Sequence, residues 1–360
     1  MIDRITTDVR ILEGDVLAQL RKLKPNSVHT VVTSPPYWNL RDYGFDGQIG
    51  LEATPKEFIR NLVKVFRAVR RVLRDDGTLW VNMGDSYAGN GGWYGNAKST
   101  LQGSKHGATN GIRRPIKRGP KLKRKDLVGI PWMLAFALRD DGWYLRQGLI
   151  WHKPNGMPSS VTDRFTSNHE DIFLLSKKER YYFDQESVKE PAESAAAAPR
   201  NRWDRSTVAP PGQKPQKRAG RSGNLQRVYG VNEMNPDIGR NIPWQGDTRN
   251  KRSVWSVATD AYGEAHFAVF PPKLVETCVL AGCPPGGTVL DIFVGTGTTA
   301  GVALAHGRKA ILIEGNPDYV HLMPKRIEQV MRRLLDAPAP EPVANAERQV
   351  NLFDLITADK

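Results

Sequence analysis

The segment from Thr288 to Glu314 constrains the fold of this chain most strongly. It begins with the short apolar run Thr288–Ile292, turns through glycines at positions 295 and 297, and continues into a helical stretch and a second apolar run, Lys309–Ile313. Glycine permits a tight turn and a close approach of the backbone to a ligand. This strand–turn–helix–strand pattern therefore predicts part of a parallel sheet, with a nucleoside-cofactor site at the turn.

An acidic residue closes this unit. Glu314 follows Gly295 by 19 residues, about the spacing at which a strand-end carboxylate binds the two hydroxyls of a ribose. Ala300 completes a Gly-x-Gly-x-x-Ala pattern and permits close packing of the helix. A nicotinamide-dependent dehydrogenase uses the same pattern, so this unit alone leaves the class of cofactor open.

A second informative segment is Thr33–Trp38, which directly follows the apolar run Val28–Val32. Its two consecutive prolines fix φ at about −65° and lack backbone donors, so their carbonyl oxygens can only accept hydrogen bonds. Ser34 adds a hydroxyl and Tyr37 adds a flat aromatic face. The loop suits a planar heterocycle with an exocyclic amino group. A plain Ser-Pro-Pro turn beside a core tyrosine is the alternative interpretation.

Strand-like and helix-like segments alternate along the chain. Val9–Leu12 and Thr78–Met83 are apolar runs typical of strands, and Pro55–Leu73 carries the apolar stripe of a long amphipathic helix. This alternation predicts an α/β fold with a mostly parallel sheet and helices on both faces. We predict that residues 1–183 and 260–333 form one catalytic and cofactor-binding domain.

The net charge indicates which class of partner the chain binds. A formal charge of +14 and a pI of about 9.7 indicate a polyanionic partner. Cys278 and Cys283 are too few for a metal cage, so no metal is expected. The amino terminus lacks a signal-peptide pattern and no apolar run reaches membrane length. We therefore expect no membrane partner and a cytoplasmic location close to the nucleoid.

Three stretches depart from the strand–helix alternation. Residues 98–125 contain ten Lys or Arg and no Asp or Glu, which predicts a mobile basic loop that follows DNA phosphates. Residues 184–259 mix Arg, Asn, Pro and Gly, which predicts a partly irregular insert that contacts DNA bases and phosphates; a disordered linker is the alternative for residues 190–225. Residues 334–360 are predicted to be a flexible tail.

The basic residues of these stretches are the candidate DNA contacts. They are Arg113, Arg114, Lys117, Arg118, Lys123, Arg124, Arg202, Arg205, Arg221, Arg227, Arg249 and Arg252.

These motifs together resemble the β class of S-adenosylmethionine-dependent DNA amino-methyltransferases. The family's cofactor motif, Asp-Pro-Phe-x-Gly-Ser/Thr-Gly-Thr-Thr, matches residues 291–299 except that Ile292 replaces the proline, and its Ser/Asp-Pro-Pro-Tyr motif matches residues 34–37. Other segments of this chain also resemble sequence blocks of the family, namely Glu13–Asp15, Asp76–Asn82, Ile150–Asn155, Asn168–Glu170 and His266–Pro271. The resemblance covers about residues 8–180 and 262–328. It implies a Rossmann-like methyltransferase sheet with an inserted target-recognition region.

The resemblance also implies the functional residues. The base would be bound by Ser34, Pro35, Pro36 and Tyr37, with Ser34 and the Pro35 carbonyl accepting from its amino group and Tyr37 stacking on its ring. S-adenosylmethionine would be bound by Asp15, Thr33, Lys273, Asp291, Phe293, Gly295, Thr296, Gly297, Thr298 and Glu314. Asp15 would bind the adenine amino group and Glu314 the ribose. For Lys273, contact with the methionine carboxylate and an ordinary surface position are both open.

The target base and the partners follow from the same resemblance. A serine at position 34 is the family's pattern for cytosine-N4 enzymes, which we favour over adenine-N6. Double-stranded DNA is the expected substrate, and a homodimer and a cognate restriction endonuclease acting on the same site are candidate partners. A non-catalytic DNA-binding protein on this fold and an RNA methyltransferase are the competing interpretations.

Overall fold

A computed structural model describes residues 7–40, 47–88, 122–156, 158–191, 248–262 and 265–336. Contacts divide the chain into one unit of residues 1–188 with 251–360 and a second unit of residues 189–250. In the described part of the second unit, Glu190–Pro191 and Thr248–Arg249 form a short antiparallel ladder. The basic stretch up to residue 121, residues 192–247 of the predicted insert and the tail from residue 337 lie outside the described residues.

The described residues contain the following strands and helices. The strands are β1 Val9–Glu13, β2 Val28–Thr33, β3 Leu73–Met83, β4 Tyr144–His152, β5 His169–Ser176, β6 Glu190–Pro191, β7 Thr248–Arg249, β8 Val254–Ser256, β9 Asp260–Tyr262, β10 Ala265–Val269, β11 Thr288–Asp291 and β12 Lys309–Glu314. The helices are α1 Val16–Lys22, α2 Pro55–Val72, α3 Ile130–Asp140, α4 Pro272–Gly282, α5 Thr298–Ala305 and α6 Pro317–Leu335.

Eight strands form a single sheet in the order β1-β12-β11-β2-β3-β5-β4-β8. All neighbours are parallel except that β5 runs antiparallel to both β3 and β4. The prediction of a mostly parallel, Rossmann-like sheet is confirmed. None of the helices within the described ranges is long and apolar enough to cross a lipid bilayer.

Side chains alternate between two cores along the central strands. Val31 of β2 packs in a core with Phe58 of α2, whereas the next residue, Val32, packs in a second core with Val275 of α4. Successive strand residues point to opposite faces, so a strand that is apolar at every position needs helices on both sides. Helices α1, α2 and α3 cover one face, and α4, α5 and α6 cover the other.

Local sequence signals set the helix starts near the carboxyl edge of the sheet. Thr54 Oγ1 accepts from Glu57 N at 3.2 Å with a proline at the first helical position of α2, a pairing that satisfies free backbone donors. Asp85 caps α3 although it lies far from that helix in the sequence. Its carboxylate accepts from Gly129 N and Ile130 N at 3.0 Å at the start of α3. These caps fix where the chain turns above the sheet.

The carboxyl boundary of the predicted insert at residue 259 is too late. Val254–Ser256 forms β8 and pairs in parallel with β4 at the edge of the main sheet. Trp255 is buried in this position, with its ring 6.3 Å from that of Trp80. The sequence pattern missed this strand because three residues are too few for a periodic signal, and burial of Trp255 is what holds it on the sheet.

Candidate active site

A cavity of about 240 Å³ opens at the carboxyl edge of the sheet. Its wall includes Asp15 after β1, Ser34 after β2, Phe293 after β11 and Gly315 after β12. The chain leaves β2 toward α2 on one face and leaves β11 toward α5 on the other face. Adjacent parallel strands whose connections diverge in this way leave a crevice between their loops, where ligands bind in open α/β sheets.

A buried hydrogen bond joins the two loops that form this cleft. Thr33 Oγ1 donates to Asp291 Oδ1 at 2.8 Å, and Thr299 Oγ1 donates to Asp291 Oδ2 at 2.6 Å. Burial raises the pKa of Asp291 to about 6, although these two hydroxyls and the Phe293 backbone N–H act in the opposite direction. Asp291 therefore anchors the glycine turn from beneath. Ser34 and Gly295 line the same cleft, as the sequence predicts.

Glu314, the last residue of β12, lies in the cleft wall, and backbone N–H groups orient both of its carboxylate oxygens. Gly295 N donates to Oε2 at 2.8 Å and Asn316 N donates to Oε1 at 2.9 Å. Burial raises the pKa of Glu314 to about 7, against the effect of these two N–H groups, and the nearby charge of Asp291 adds to the rise. Each oxygen keeps a lone pair that can accept from a ligand hydroxyl.

Two features of the glycine turn fit a bound ligand. Gly295 has φ +58°, and a Cβ built there meets no atom within 4 Å, so that side of the backbone faces open space. Thr298, at the start of α5, has a buried Oγ1 with no hydrogen-bond partner among the described residues. A buried hydroxyl in a cleft wall is costly unless a ligand pairs with it. The helix amino terminus beside it favours an anionic group.

Asp15 lies in the same wall and caps α1. Its Oδ1 accepts from Ala18 N at 2.8 Å, which fixes the carboxylate at the cleft edge. Phe293 and Thr296 also line the cleft. These residues, with Asp291, Gly295, Thr298 and Glu314, are the members of the predicted cofactor set that the structure brings together.

Three predicted cofactor residues lie elsewhere. Thr33 is fully buried and reaches the cleft only through Asp291. Gly297 has φ +99° and starts α5, and a Cβ there would lie 3.0 Å from Ile327, so its glycine serves the turn and the packing of α6. Lys273 is exposed on the first turn of α4 and is absent from the cleft wall. The number of residues between Lys273 and the cofactor strand does not determine its position, because the direction of α4 decides which way the lysine side chain points.

The catalytic-loop candidates Ser34, Pro35, Pro36 and Tyr37 all line the cleft. The ring of Tyr37 packs against the backbone of Gly84, where an added Cβ would lie 2.6 Å from Cε2 of the ring. Tyr37 Oη donates to Glu170 Oε2 at 2.5 Å. The Tyr37 ring is therefore held at its hydroxyl by Glu170 and along one side by Gly84.

Sequence reasoning missed Gln48 in the cleft wall, together with three polar residues that contact one another, namely Asn82, Lys153 and Glu170. Asn82 Oδ1 lies 3.2 Å from Ser34 Oγ, and Asn82 Nδ2 donates to Glu170 Oε2 at 3.0 Å. Lys153 forms an ion pair with Glu170, and its ammonium lies 4.4 Å from the centroid of the Trp151 ring. All three fall in blocks that the sequence analysis singled out without a function. Phe270 and Tyr319 also line the cleft; the first lies in such a block, and the second had no sequence signal.

The candidate DNA contacts are only partly within the described residues. Lys123 and Arg124 are exposed, and Lys123 Nζ lies 3.4 Å from Asp126. Arg249 pairs with Glu190 at 2.9 Å. Arg252 is exposed, and its carbonyl accepts from Trp255 Nε1 at 2.8 Å. The other eight, Arg113, Arg114, Lys117, Arg118, Arg202, Arg205, Arg221 and Arg227, lie outside the described residues.

Comparison with known proteins gives a consistent result. A family model described as DNA methylase matches residues 28–325. The chain is 42% identical over 318 residues to the type II methyltransferase M.SmaI of Serratia marcescens, covering 88% of this chain and 90% of that protein. It is 41% identical over 319 residues to the type II methyltransferase M.Cfr9I of Citrobacter freundii, covering 88% and 87%. The solved PvuII DNA methyltransferase (cytosine-N4-specific) has a similar fold, with a TM-score of 0.55, 17% identity, and coverage of 92% and 94%.

Proposed function

The chain belongs to the DNA methylase family, and we propose that it transfers a methyl group from S-adenosylmethionine to the N4 amino group of a cytosine flipped out of double-stranded DNA. The observation that carries the proposal is the common cleft of two loops. One loop presents the acceptors Ser34 and Pro35, and the other presents the glycine turn at Gly295 and the carboxylate of Glu314.

The cleft residues fit this cofactor, which supplies a methyl group made electrophilic by its sulfonium. Glu314 would accept from the ribose hydroxyls and Asp15 from the adenine amino group. The Thr298 hydroxyl, which has no hydrogen-bond partner in the described part of the chain, and the amino terminus of α5 complement the carboxylate of the methionine end. Lys273, for which a surface position was the open alternative, is not needed for this contact.

Activation of the amino group rests on hydrogen-bond acceptors. The lone pair of an exocyclic amino nitrogen is delocalised into the base, so this nitrogen is a poor nucleophile. Ser34 Oγ and the Pro35 carbonyl, by accepting both of its hydrogens, favour tetrahedral geometry and a localised lone pair. Holding that nitrogen in line with the methyl group removes an entropic part of the barrier, which in well-oriented systems amounts to several kcal/mol.

A base must leave the duplex to enter this cleft, which costs about a few kcal/mol of unstacking. The fixed ring of Tyr37 is suited to stack on the extruded base and to offset part of that cost. The exposed Lys123 and Arg124, with the overall charge of +14, would hold the phosphate backbone near the cleft.

Two residues support cytosine over adenine. Ser34 is neutral and follows the family's cytosine-N4 pattern. Lys153 lines the cleft with three ammonium donors, one of which pairs with Glu170. Cytosine presents a carbonyl oxygen that can accept such a donor, whereas adenine has no carbonyl oxygen and offers only ring nitrogens as acceptors. Adenine-N6 transfer by the same chemistry is the alternative.

Nucleoside mass spectrometry tests the proposal. Unmethylated plasmid DNA is incubated with the protein and S-adenosylmethionine, digested, and analysed beside a reaction that contains the Ser34→Ala variant. We expect N4-methylcytosine in the wild-type reaction alone. N6-methyladenine without N4-methylcytosine would overturn the target base, and the absence of both would overturn the activity.

The type II names of the relatives support a restriction-modification context, in which a cognate endonuclease cuts the same site. Long-read sequencing of DNA from cells that express the chain would give the methylated sequence. Plasmid from those cells should then resist an endonuclease of that specificity. Sedimentation analysis tests whether the chain forms the candidate homodimer.

A further inference from the structure

The side chain of Asn82 has a fixed orientation in the cleft. It is 2% exposed and lies on β3 one residue beyond Val81, which is paired with Thr33. Its Nδ2 donates to Glu170 Oε2 at 3.0 Å and to the Asp171 carbonyl at 3.2 Å. Both of those partners only accept, so the amide nitrogen has to face them. The amide oxygen is therefore directed toward the catalytic loop.

Two hydroxyls lie 3.2 Å from this oxygen, namely Ser34 Oγ and Tyr37 Oη. Each has one proton to donate. Tyr37 Oη is 2.5 Å from the carboxylate of Glu170, and a charged acceptor at that distance accepts the hydrogen bond that the phenol donates. The oxygen of Asn82 therefore remains available to accept the hydrogen bond that Ser34 donates.

The charge of Glu170 is balanced within the same network. Lys153 pairs with Glu170 Oε1, and both side chains are more than four-fifths buried. Glu170 Oε2 accepts from Tyr37 and Asn82, so both oxygens of this carboxylate are occupied. Glu170 therefore supports Asn82 and Tyr37 and is not placed to accept a proton from the substrate.

We propose that Asn82 and Glu170 are positioning residues that make Ser34 donate toward Asn82 and thereby turn the lone pairs of Ser34 toward the target amino group. This inference rests on the proposed function. A serine hydroxyl that rotated freely could present its proton to the amino group and lose the ability to accept from it. Asn82 is a neutral amide and does not take up the proton, so its contribution is orientation alone.

A double-mutant cycle tests this proposal. The single-turnover methylation rate is measured for the wild type, Asn82→Ala, Ser34→Ala and the double variant, with cofactor affinity measured by calorimetry. We expect Asn82→Ala to lower the rate by about tenfold, the order of one hydrogen bond, and to leave cofactor affinity unchanged. In the Ser34→Ala background the same substitution should have little further effect, because its target is gone.

A matched control separates orientation from stability. Thr78→Val removes a buried hydroxyl from the same strand, where Thr78 Oγ1 lies 2.8 Å from Thr30 Oγ1, and should leave the rate unchanged. Asn82→Leu keeps nearly the same side-chain shape and removes the oxygen that accepts from Ser34, so it should repeat the coupled loss if Asn82→Ala does not fold. A wild-type rate in Asn82→Ala, or an equal loss with and without Ser34, would overturn the proposal. Absence of methylation by the wild type would instead overturn the proposed function.

Discussion

Thr33 and Asp291 are 258 positions apart in sequence and share a buried hydrogen bond of 2.8 Å at the floor of the cleft. Thr33 is the last residue of β2 and precedes Ser34, and Asp291 is the last residue of β11 and precedes the glycine turn. Together with the parallel pairing of β2 and β11, this contact aligns the catalytic loop with the cofactor loop.

Thr33→Val should lower both stability and the methylation rate. It removes one donor to Asp291 and leaves a buried carboxyl oxygen with weaker pairing, which costs about 1–3 kcal/mol. Thr30→Val removes a buried hydroxyl bonded at 2.8 Å to Thr78 on the same sheet, away from the cleft. Urea unfolding and single-turnover rates should show similar destabilisation in both variants and a slower rate only in Thr33→Val. Equal methylation rates in the two variants would show that the hydrogen bond between Thr33 and Asp291 does not align the loops for the reaction.

Cofactor affinity should rise with pH around neutrality. The pKa of Glu314 is raised from 4.5 to about 7 by burial, so the carboxyl is largely protonated at pH 6 and ionised at pH 8. Ribose hydroxyls donate to the ionised form, and binding should therefore release a proton. Calorimetry in buffers of different ionisation enthalpy measures this release. Glu314→Gln should weaken binding and abolish the proton release; an unchanged pH profile in that variant would exclude Glu314 as its source.

The same group sets a pH dependence of stability. In the cofactor-free protein its folded pKa lies above its unfolded value, so its stabilising contribution is complete below about pH 4.5 and is lost as the pH rises through 7. Asp291 acts in the same direction between about 3.8 and 6. Urea unfolding from pH 5 to 8 should therefore show a smaller decline in stability for Glu314→Gln than for the wild type. Parallel curves would contradict this assignment.

Gly84→Ala should slow methylation while cofactor binding is kept. The new Cβ would lie 2.6 Å from Tyr37 Cε2, a distance that forces the ring to move. Gly156→Ala is the control, because its Cβ would make an ordinary contact of 3.4 Å with Asn168. Single-turnover rates and calorimetry distinguish the two variants. A normal rate in Gly84→Ala would show that the position of the Tyr37 ring does not matter for the reaction.

Replacing both Lys123 and Arg124 by Ala should weaken DNA binding in a salt-dependent way. Each lost phosphate contact lowers the slope of log affinity against log salt by about 0.9. Lys309→Ala is the control, because Lys309 begins β12 at the sheet edge opposite the cleft. Fluorescence anisotropy at several salt concentrations gives the slopes. Identical slopes for the double variant and the wild type would remove these residues from the interface.

The sequence predicted the sheet and the two cleft loops because both are encoded locally. The apolar run Val28–Val32, the glycine turn and the stripe of α2 each need only neighbouring residues to be recognised. The two prolines and the aromatic residue of the catalytic loop also lie within one short motif. Glu314 lies in the cleft wall because β12 ends there, and its contact with a ribose stays a prediction.

The network around Asn82 could not be predicted in the same way. Asn82, Lys153 and Glu170 lie on three strands, and β5 runs against its neighbours. Their meeting depends on the pairing of Asn82 with Ile172 and of Trp151 with Glu170. Sequence periodicity carries no information about register between strands so far apart in the chain. The short strand β8 was missed because of its length, and the choice between the two positions left open for Lys273 depended on the direction of α4.

Transfer of a labelled methyl group tests the central claim most directly. Wild-type protein and Ser34→Ala are each incubated with duplex DNA and S-adenosylmethionine carrying a radiolabelled methyl group, after calorimetry has established equal cofactor affinity. We predict label in the DNA with the wild type and a loss of at least about a hundredfold with Ser34→Ala, at similar DNA binding. Equal incorporation by both proteins would contradict the assignment of this cleft as the site of methyl transfer.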